Sequence, residues 1–267
     1  MTEAWNSADP YEGFVGRWSR LVARDFIAWL DAPPGAIWVD VGCGTGALSN
    51  EIGQTALPER VDGIDRSGAF IQQAAERLDE PMFSFRVGDA LQLPQTDSTY
   101  DIAVSALVLN FLPDPVRGVE EMTRVTKPGG VVGSYVWDYA GEMQMLRYFW
   151  DAAVKLDPSA CELDEGVRFP ITRPERLTSL WRDAGLSDVE TTAIDAPTRF
   201  ADFDDYWGPF LGGQGPAPGY NVSLSPSKQR DLRDLLAKRL PTAADGSIEL
   251  MARAWAVKGR ARTRRRP

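Results

Sequence analysis

The feature that most restricts what this chain can become is a short strand that runs into three glycines and then a helix. Ile37-Trp38-Val39-Asp40-Val41 is bulky and mostly apolar, Gly42-Cys43-Gly44-Thr45-Gly46 follows with no spacer, and Ala47–Thr55 reads as helical. Glycine lets a chain turn tightly and lie against a ligand with no Cβ in the way. The helix start that follows offers unpaired N–H groups and the positive end of its dipole to an anion. The spacing narrows the options. A dinucleotide fingerprint needs its third glycine one place later, where this chain has Ala47. No lysine followed by serine or threonine comes after the glycines, which excludes a phosphate-gripping P-loop.

The same alternation continues. Strands are expected at Val61–Asp65, Met82–Val87, Tyr100–Ser105 and Val131–Trp137, separated by helices at Ser67–Leu78 and Asp114–Val125 and, before the last, by a turn at Lys127–Gly130. Val116, Val119, Met122 and Val125 form the apolar side of the Asp114–Val125 helix. A helix over 14–30 precedes this core. Further on come a helix at Glu175–Ala184, a strand at Leu186–Ile194, a helix from Ser225-Pro226 to Leu240, and a closing strand at Ile248–Val257. Strands that are apolar throughout and alternate with helices predict an α/β fold: a Rossmann-like, doubly wound, seven-stranded and mostly parallel sheet with helices on both faces. Ligands of such sheets bind beyond the carboxyl ends of the strands. Two stretches break the pattern and are rich in aromatics, with Tyr139, Phe149 and Trp150 in one and Phe200, Phe203, Tyr206, Trp207 and Phe210 in the other. They predict a helical, aromatic-rich cap. With Tyr135 and Trp137 at the end of the fifth strand, they would form a lid, and any helix faces left uncovered would seal a homodimer.

Composition removes whole classes of chemistry. The chain has no histidine, which excludes His-based triads, His general bases and His-liganded metals. Two cysteines, Cys43 and Cys161, give neither a disulfide framework nor a thiolate cluster, so no metal is expected and the reducing cytoplasm is the default location. With 29 basic against 38 acidic side chains, the net charge of −9 disfavours broad nucleic-acid binding. The exception is the arginine-rich stretch 258–267, read here as a disordered solubilising tail. No signal peptide is visible, and the longest apolar run, Ile102 to Leu109, is far too short to span a membrane.

Two aspartates extend the glycine loop into a site. Asp65 ends the second strand, where a carboxylate can accept both hydroxyls of a ribose. Asp89 lies just past the third strand, where it could accept a hydrogen bond from an adenine amino group. Together with the glycines they predict an adenosine site.

At this point the sequence resembles the class I S-adenosylmethionine-dependent methyltransferases, in particular those acting on small molecules in ubiquinone and menaquinone biosynthesis. The resemblance rests on Val39–Gly46, Gly63-Ile64-Asp65-Arg66-Ser67, Gly88-Asp89-Ala90, Phe111-Leu112-Pro113-Asp114-Pro115 and the Leu177–Leu186 stretch, and it covers residues 11 to 195. It implies a single methyltransferase domain over 1–267. Within that domain it implies an N-terminal helical segment at 1–35, a cofactor-binding core at 36–137, cap insertions at 138–172 and 197–224, and the tail. It also implies S-adenosyl-L-methionine as cofactor, S-adenosyl-L-homocysteine as product and a small-molecule acceptor, with the protein a monomer or homodimer. By resemblance, Gly42, Cys43, Gly44 and Gly46 form the loop under the methionine part, with Cys43 serving as small-residue packing. Asp40 helps hold the amino group, directly or through water, Asp65 binds the ribose, and Asp89 with the backbone of Ala90 reads the adenine. Leu107 or Val108 lies against the ring, with Arg66 over its face. Tyr11 and Gly16-Arg17-Trp18-Ser19 match a segment of related proteins in which the arginine, here Arg17, faces the cofactor carboxylate.

A sulfonium cofactor carries its own activation, so the protein chiefly aligns acceptor and methyl group. The acceptor is expected to be aromatic or apolar. Asp138, Tyr139 and Asn110 are candidates for handling a proton, and none is assigned as catalytic. Competing readings are a protein or nucleic-acid methyltransferase, a nicotinamide oxidoreductase opposed by the glycine spacing, and a non-catalytic cofactor-binding protein.

Overall fold

The computed structural model describes residues 17–213 and 215–262; Tyr11, Gly16, the side chain of Arg17 and tail residues 263–267 lie outside them. In chain order the elements are α1 (Arg17–Leu30), β1 (Ile37–Val41), α2 (Ala47–Thr55), β2 (Arg60–Asp65), α3 (Gly68–Arg77), β3 (Phe83–Val87), β4 (Tyr100–Ala106), α4 (Pro115–Val125), β5 (Thr126–Trp137), α5 (Gln144–Leu156), α6 (Glu165–Arg168), α7 (Pro174–Asp183), β6 (Ser187–Phe200), α8 (Phe203–Trp207), α9 (Pro216–Ser223), α10 (Pro226–Arg239) and β7 (Ile248–Arg260). The strands form one sheet in the order β3-β2-β1-β4-β5-β7-β6. From β3 to β5 every neighbouring pair is parallel. β7 runs the other way. Ala261 N–H donates to Gly130 O near the start of β5, and Asp138 N–H donates to Arg253 O just past its end. The expected seven-stranded, mostly parallel sheet flanked by helices is therefore present.

The chain resolves into two compact units. One comprises Arg20–Val136, Arg173–Ile194 and Trp255–Pro267; the other comprises Met1–Ser19, Trp137–Thr172 and Asp195–Ala254. The first is built on the parallel strands. Trp38, Val39, Val61, Ile102, Ala103, Val104 and Val132 are buried, as strands covered on both faces require. Helix starts follow their local chemistry. Ser67 Oγ accepts the Phe70 N–H ahead of α3, and Asp114 Oδ1 accepts the Arg117 N–H ahead of α4, where Pro115 needs no donor. Val119, Met122 and Val125 of α4 are buried, but Val116, in the first turn, is exposed.

Three boundaries differ from the sequence reading, each for a visible reason. Lys127–Gly130 is a bulge within β5 and not a turn ahead of it. Tyr100 pairs with Thr126 and Ile102 with Val131, so residues 127–130 lie opposite the single residue Asp101. β6 continues six residues past Ile194. Ala196, Thr198 and Phe200 are buried while Asp195, Pro197 and Arg199 are exposed, a period of two that the aromatic pattern nearby obscured. Pro197 is tolerated because β6 is the edge strand. β7 continues through Lys258–Arg260, residues expected to belong to the basic tail. Lys258 Nζ donates to Trp29 O at 2.8 Å and lies 4.4 Å from the Trp29 ring centroid, and a Cβ at Gly259 would lie 3.0 Å from Trp181.

The second unit is helical and aromatic. Phe149 and Phe210 stack with centroids 4.5 Å apart, Trp18 meets Phe200 edge-on, and Tyr206 Oη donates to Met145 O. Phe149, Trp150, Tyr206, Trp207 and Phe210 are all buried. These aromatic side chains thus pack into this unit's own core. Glu165 is also buried here, where it accepts the Trp150 indole N–H, and burial pushes its carboxyl up to about 7. A carboxyl whose pKa is raised on folding contributes stability that is present below pH 4.5 and lost as pH rises through about 7. Glu165→Gln is therefore expected to stabilise the chain at pH 8 by about 2–3 kcal/mol and to leave it unchanged at pH 4. Thermal unfolding across that pH range checks this; parallel curves for the two proteins would contradict it.

Candidate functional site

The glycine loop sits where β1, β2 and α2 converge. Gly42, Gly44 and Gly46 have φ of 76°, 54° and 83°, a region that side chains disfavour. The N–H groups of Gly42 and Cys43 both donate to Ile64 O, at 2.7 and 3.0 Å, and Gly46 N–H donates to Cys43 O. A Cβ on Gly42 would lie 2.5 Å from Val108, whereas one on Gly44 would meet nothing within 4 Å. Gly44 therefore faces open space with bare backbone. Gly46 precedes α2 without any side-chain cap, so the helix start keeps donors available.

Two carboxylates flank the loop. Asp65 binds it directly: Oδ2 accepts the Gly44 N–H at 3.0 Å and Oδ1 accepts the Ser67 N–H at 2.8 Å. A carboxylate has about four lone-pair positions, so two remain for a ligand's hydroxyls. Asp40 is fully buried, with Oδ2 accepting the Ser49 hydroxyl at 2.7 Å and Oδ1 left without any partner. Burial, opposed by the Ser49 hydrogen bond and helped by the charge of Asp65, pushes its pKa to about 7. Cys43 is buried between these acids, and burial with the two negative neighbours pushes its thiol far up, so it packs as a neutral thiol.

The remaining expected residues divide. Gly88 N–H donates to Asp65 O, which fixes the segment carrying Asp89 and Ala90 beside the end of β2. Asp89 is exposed and closes its own turn, Oδ1 accepting the Leu91 N–H. Arg66 is exposed. Leu107 has a φ of 60°, strained for a branched bulky residue, and its N–H donates to Tyr135 O. Asn110 is 8% exposed, yet neither amide atom has a hydrogen-bond partner. Asp138 belongs to the other unit, where its Oδ2 accepts the Glu142 N–H and stabilises a turn.

Sequence reasoning missed Ser49, Ser105 and the role of Gly63. Ser134 Oγ donates to Ser105 O and Ser105 Oγ to Val41 O, tying the ends of β5, β4 and β1 together behind the loop. A Cβ on Gly63 would lie 2.9 Å from Cys43 Sγ and 2.4 Å from Phe85, so this glycine makes room for the loop. Ser49, at i+3 from Gly46 in the first turn of α2, was readable as a partner for Asp40; the other two were not, because they act across strands.

The family described as "Methyltransferase domain" matches residues 39–133, the stretch that carries this loop. The demethylmenaquinone methyltransferase of Desulfitobacterium hafniense is 39% identical over 164 residues, covering 50% of this chain and 64% of that protein. The demethylmenaquinone methyltransferase of Halalkalibacterium halodurans is 34% identical over 187 residues, covering 62% of this chain and 74% of that one. The chain belongs to the class I S-adenosylmethionine-dependent methyltransferases. Among solved structures, the YcgJ protein of Bacillus subtilis superposes with a TM-score of 0.60 over 92% of this chain and 98% of its own, at 16% identity, which shows the shared fold. The chain spans about half to two thirds of the length of the first curated relatives it matches.

The residues present fit this family's cofactor. S-adenosylmethionine carries an ammonium group, the natural complement of the orphaned Asp40 oxygen, and ribose hydroxyls suited to the spare lone pairs of Asp65. Among the described residues no group of three or more Cys, Asp or Glu is arranged to hold a metal ion, and no helix is long and apolar enough to cross a membrane.

Proposed function

We propose that this methyltransferase moves the methyl group of S-adenosyl-L-methionine to a small aromatic or apolar acceptor of the quinol type. The observation that carries the proposal is the buried Asp40 oxygen without a partner beside a positive-φ glycine loop that Asp65 holds open. The acceptor class rests on the relatives named for demethylmenaquinone. When bound, the cofactor supplies a methyl electrophile and a neutral thioether leaving group. The chain's own residues bind and orient. Gly42, Cys43, Gly44 and Gly46 present backbone, Asp40 takes the ammonium, and Asp65 takes the ribose. Asp89 and Ala90 read the adenine between Leu107 and Arg66, and Arg17 meets the cofactor carboxylate.

Orientation alone supplies roughly 7–11 kcal/mol in well-aligned reactions, so a chain without histidine has the means to catalyse. Asn110 offers the acceptor an amide donor and acceptor without taking a proton. The net charge of −9 argues against nucleic acid as the acceptor. The buried aromatic faces fit a monomer, and two free cysteines fit a reducing cytoplasm.

Asp65→Ala is expected to weaken S-adenosylmethionine binding about 10- to 100-fold, the worth of hydrogen bonds to a charged group. Isothermal titration with Asp65→Asn alongside measures it. Unchanged affinity in the alanine variant would falsify the site. Methyl transfer from labelled cofactor to a naphthoquinol tests the acceptor class separately.

A further inference from the structure

A second polar concavity lies on the sheet, built from residues the methyl-transfer reading does not use. Parallel strands are normally covered on both faces by their crossover helices. The crossover from β3 to β4, residues 88–99, contains no helix, and its Gln95, Thr96 and Thr99 instead rim a trough of about 310 Å³ on the sheet. The floor alternates in register: Arg60 and Asp62 on β2, Ser84 and Arg86 on β3, and Tyr100 on β4, with Asp62 opposite Ser84. Phe83 and Phe85, the intervening residues of β3, stack on each other and pack against Gly53 and Gly63.

The charges in the trough are unbalanced. Asp62 is already engaged, with Oδ2 accepting the buried Tyr100 hydroxyl at 2.7 Å and Oδ1 in an ion pair 3.2 Å from Arg60 Nε, a buried nitrogen that makes no hydrogen bond among the described residues. The outer nitrogens of Arg60 and the whole Arg86 guanidinium make no hydrogen bond or ion pair among the described residues. Gln95 Oε1 is buried with no donor to accept from. In a chain of net charge −9, two arginines with unused donors around one neutralised aspartate form a local positive site. Its volume is at the lower end of the roughly 300–1,000 Å³ range of small-molecule pockets.

We propose that this trough is a binding site, separate from the cofactor site, for a small phosphorylated metabolite that also carries hydroxyls. The phosphate takes the fork-shaped donors of Arg60 and Arg86, to which guanidinium is geometrically matched. Ser84, Thr96 and Thr99 supply further hydroxyls, and a sugar hydroxyl donates to Gln95 Oε1.

The test is calorimetric titration of the full chain, saturated with S-adenosylhomocysteine, using ribose 5-phosphate, ribose and inorganic phosphate as probes at constant ionic strength. Saturable binding of ribose 5-phosphate, weaker for inorganic phosphate and absent for ribose, is expected. Arg86→Gln should weaken it about tenfold, and Arg60→Gln with Arg86→Gln about a hundredfold. Both variants should keep their S-adenosylhomocysteine affinity, which also reports that they are folded. The proposal is overturned if ribose 5-phosphate gives no saturable heat, if ribose binds as well, if the arginine variants bind unchanged, or if S-adenosylhomocysteine competes.

Discussion

Gly42→Ala is expected to destabilise the chain by about 2–5 kcal/mol and to reduce S-adenosylmethionine affinity at least tenfold. Two independent terms add. A left-handed φ of 76° costs an L-residue about 1–2 kcal/mol, and driving a methyl to 2.5 Å from Val108 costs about 1–3 kcal/mol as overpacking. They separate in a double variant, because Val108→Ala relieves the clash and leaves the backbone strain. Gly44→Ala is the informative partner. It has the same kind of φ, 54°, but open space around its Cβ, so its stability should fall by only about 1–2 kcal/mol. Its cofactor affinity should nevertheless fall by at least about tenfold, because the open space is where the ligand lies. Denaturant unfolding and titration on the same samples measure both quantities. If Gly44→Ala binds normally, the cofactor does not lie on this loop.

Asp40→Asn should move stability and binding in opposite directions. Folding raises the Asp40 pKa from 3.8 to about 7, so its contribution to stability is complete below pH 3.8 and is lost as pH rises through 7. At pH 8 the buried charge therefore opposes folding by up to about 4 kcal/mol, and asparagine should raise the unfolding temperature there but not at pH 4. Cofactor binding has the reverse dependence. An ammonium group favours ionised Asp40, so wild-type affinity should rise between pH 6 and pH 8, whereas the asparagine variant should bind about 10- to 100-fold more weakly and without that rise. Parallel pH profiles for the two proteins would show that Asp40 does not meet the ammonium group.

Legibility followed the range of the interactions. β1, α2 and the glycine loop were readable to the residue because their determinants are local: bulky strand residues, glycines needed for positive φ, and an immediate helix start. The helix starts at Ser67 and Asp114 were legible within one residue for the same reason, and the structure shows both residues to be caps. The bulge at Lys127–Gly130 looked like a turn, since Pro-Gly-Gly signals a turn wherever it occurs, and bonds to distant residues, those of Gly129 and Gly130 to Ala261 and of Lys127 to Asp101, keep it in the sheet. Lys258 and Arg260 looked like the start of a solvated tail because charge conceals a strand whose intervening residues, Val257 and Gly259, are buried, as is Ala261 just past its end. In the site, Asp40 and Asp65 were legible as strand-end acids. That Asp65 secures the loop through Gly44, that Leu107 is strained, and that Asn110 is buried without partners all depend on packing between distant segments.

The position of β7 constrains how the chain can assemble. The last strand in sequence lies between β5 and β6, so those two have no common neighbour until residues 248–260 have left the ribosome. During that interval both present unpaired backbone, the state in which nascent sheets capture the wrong partner. Pairing with β7 fills both gaps, so this thirteen-residue strand is the one that joins β6 to the parallel part of the sheet.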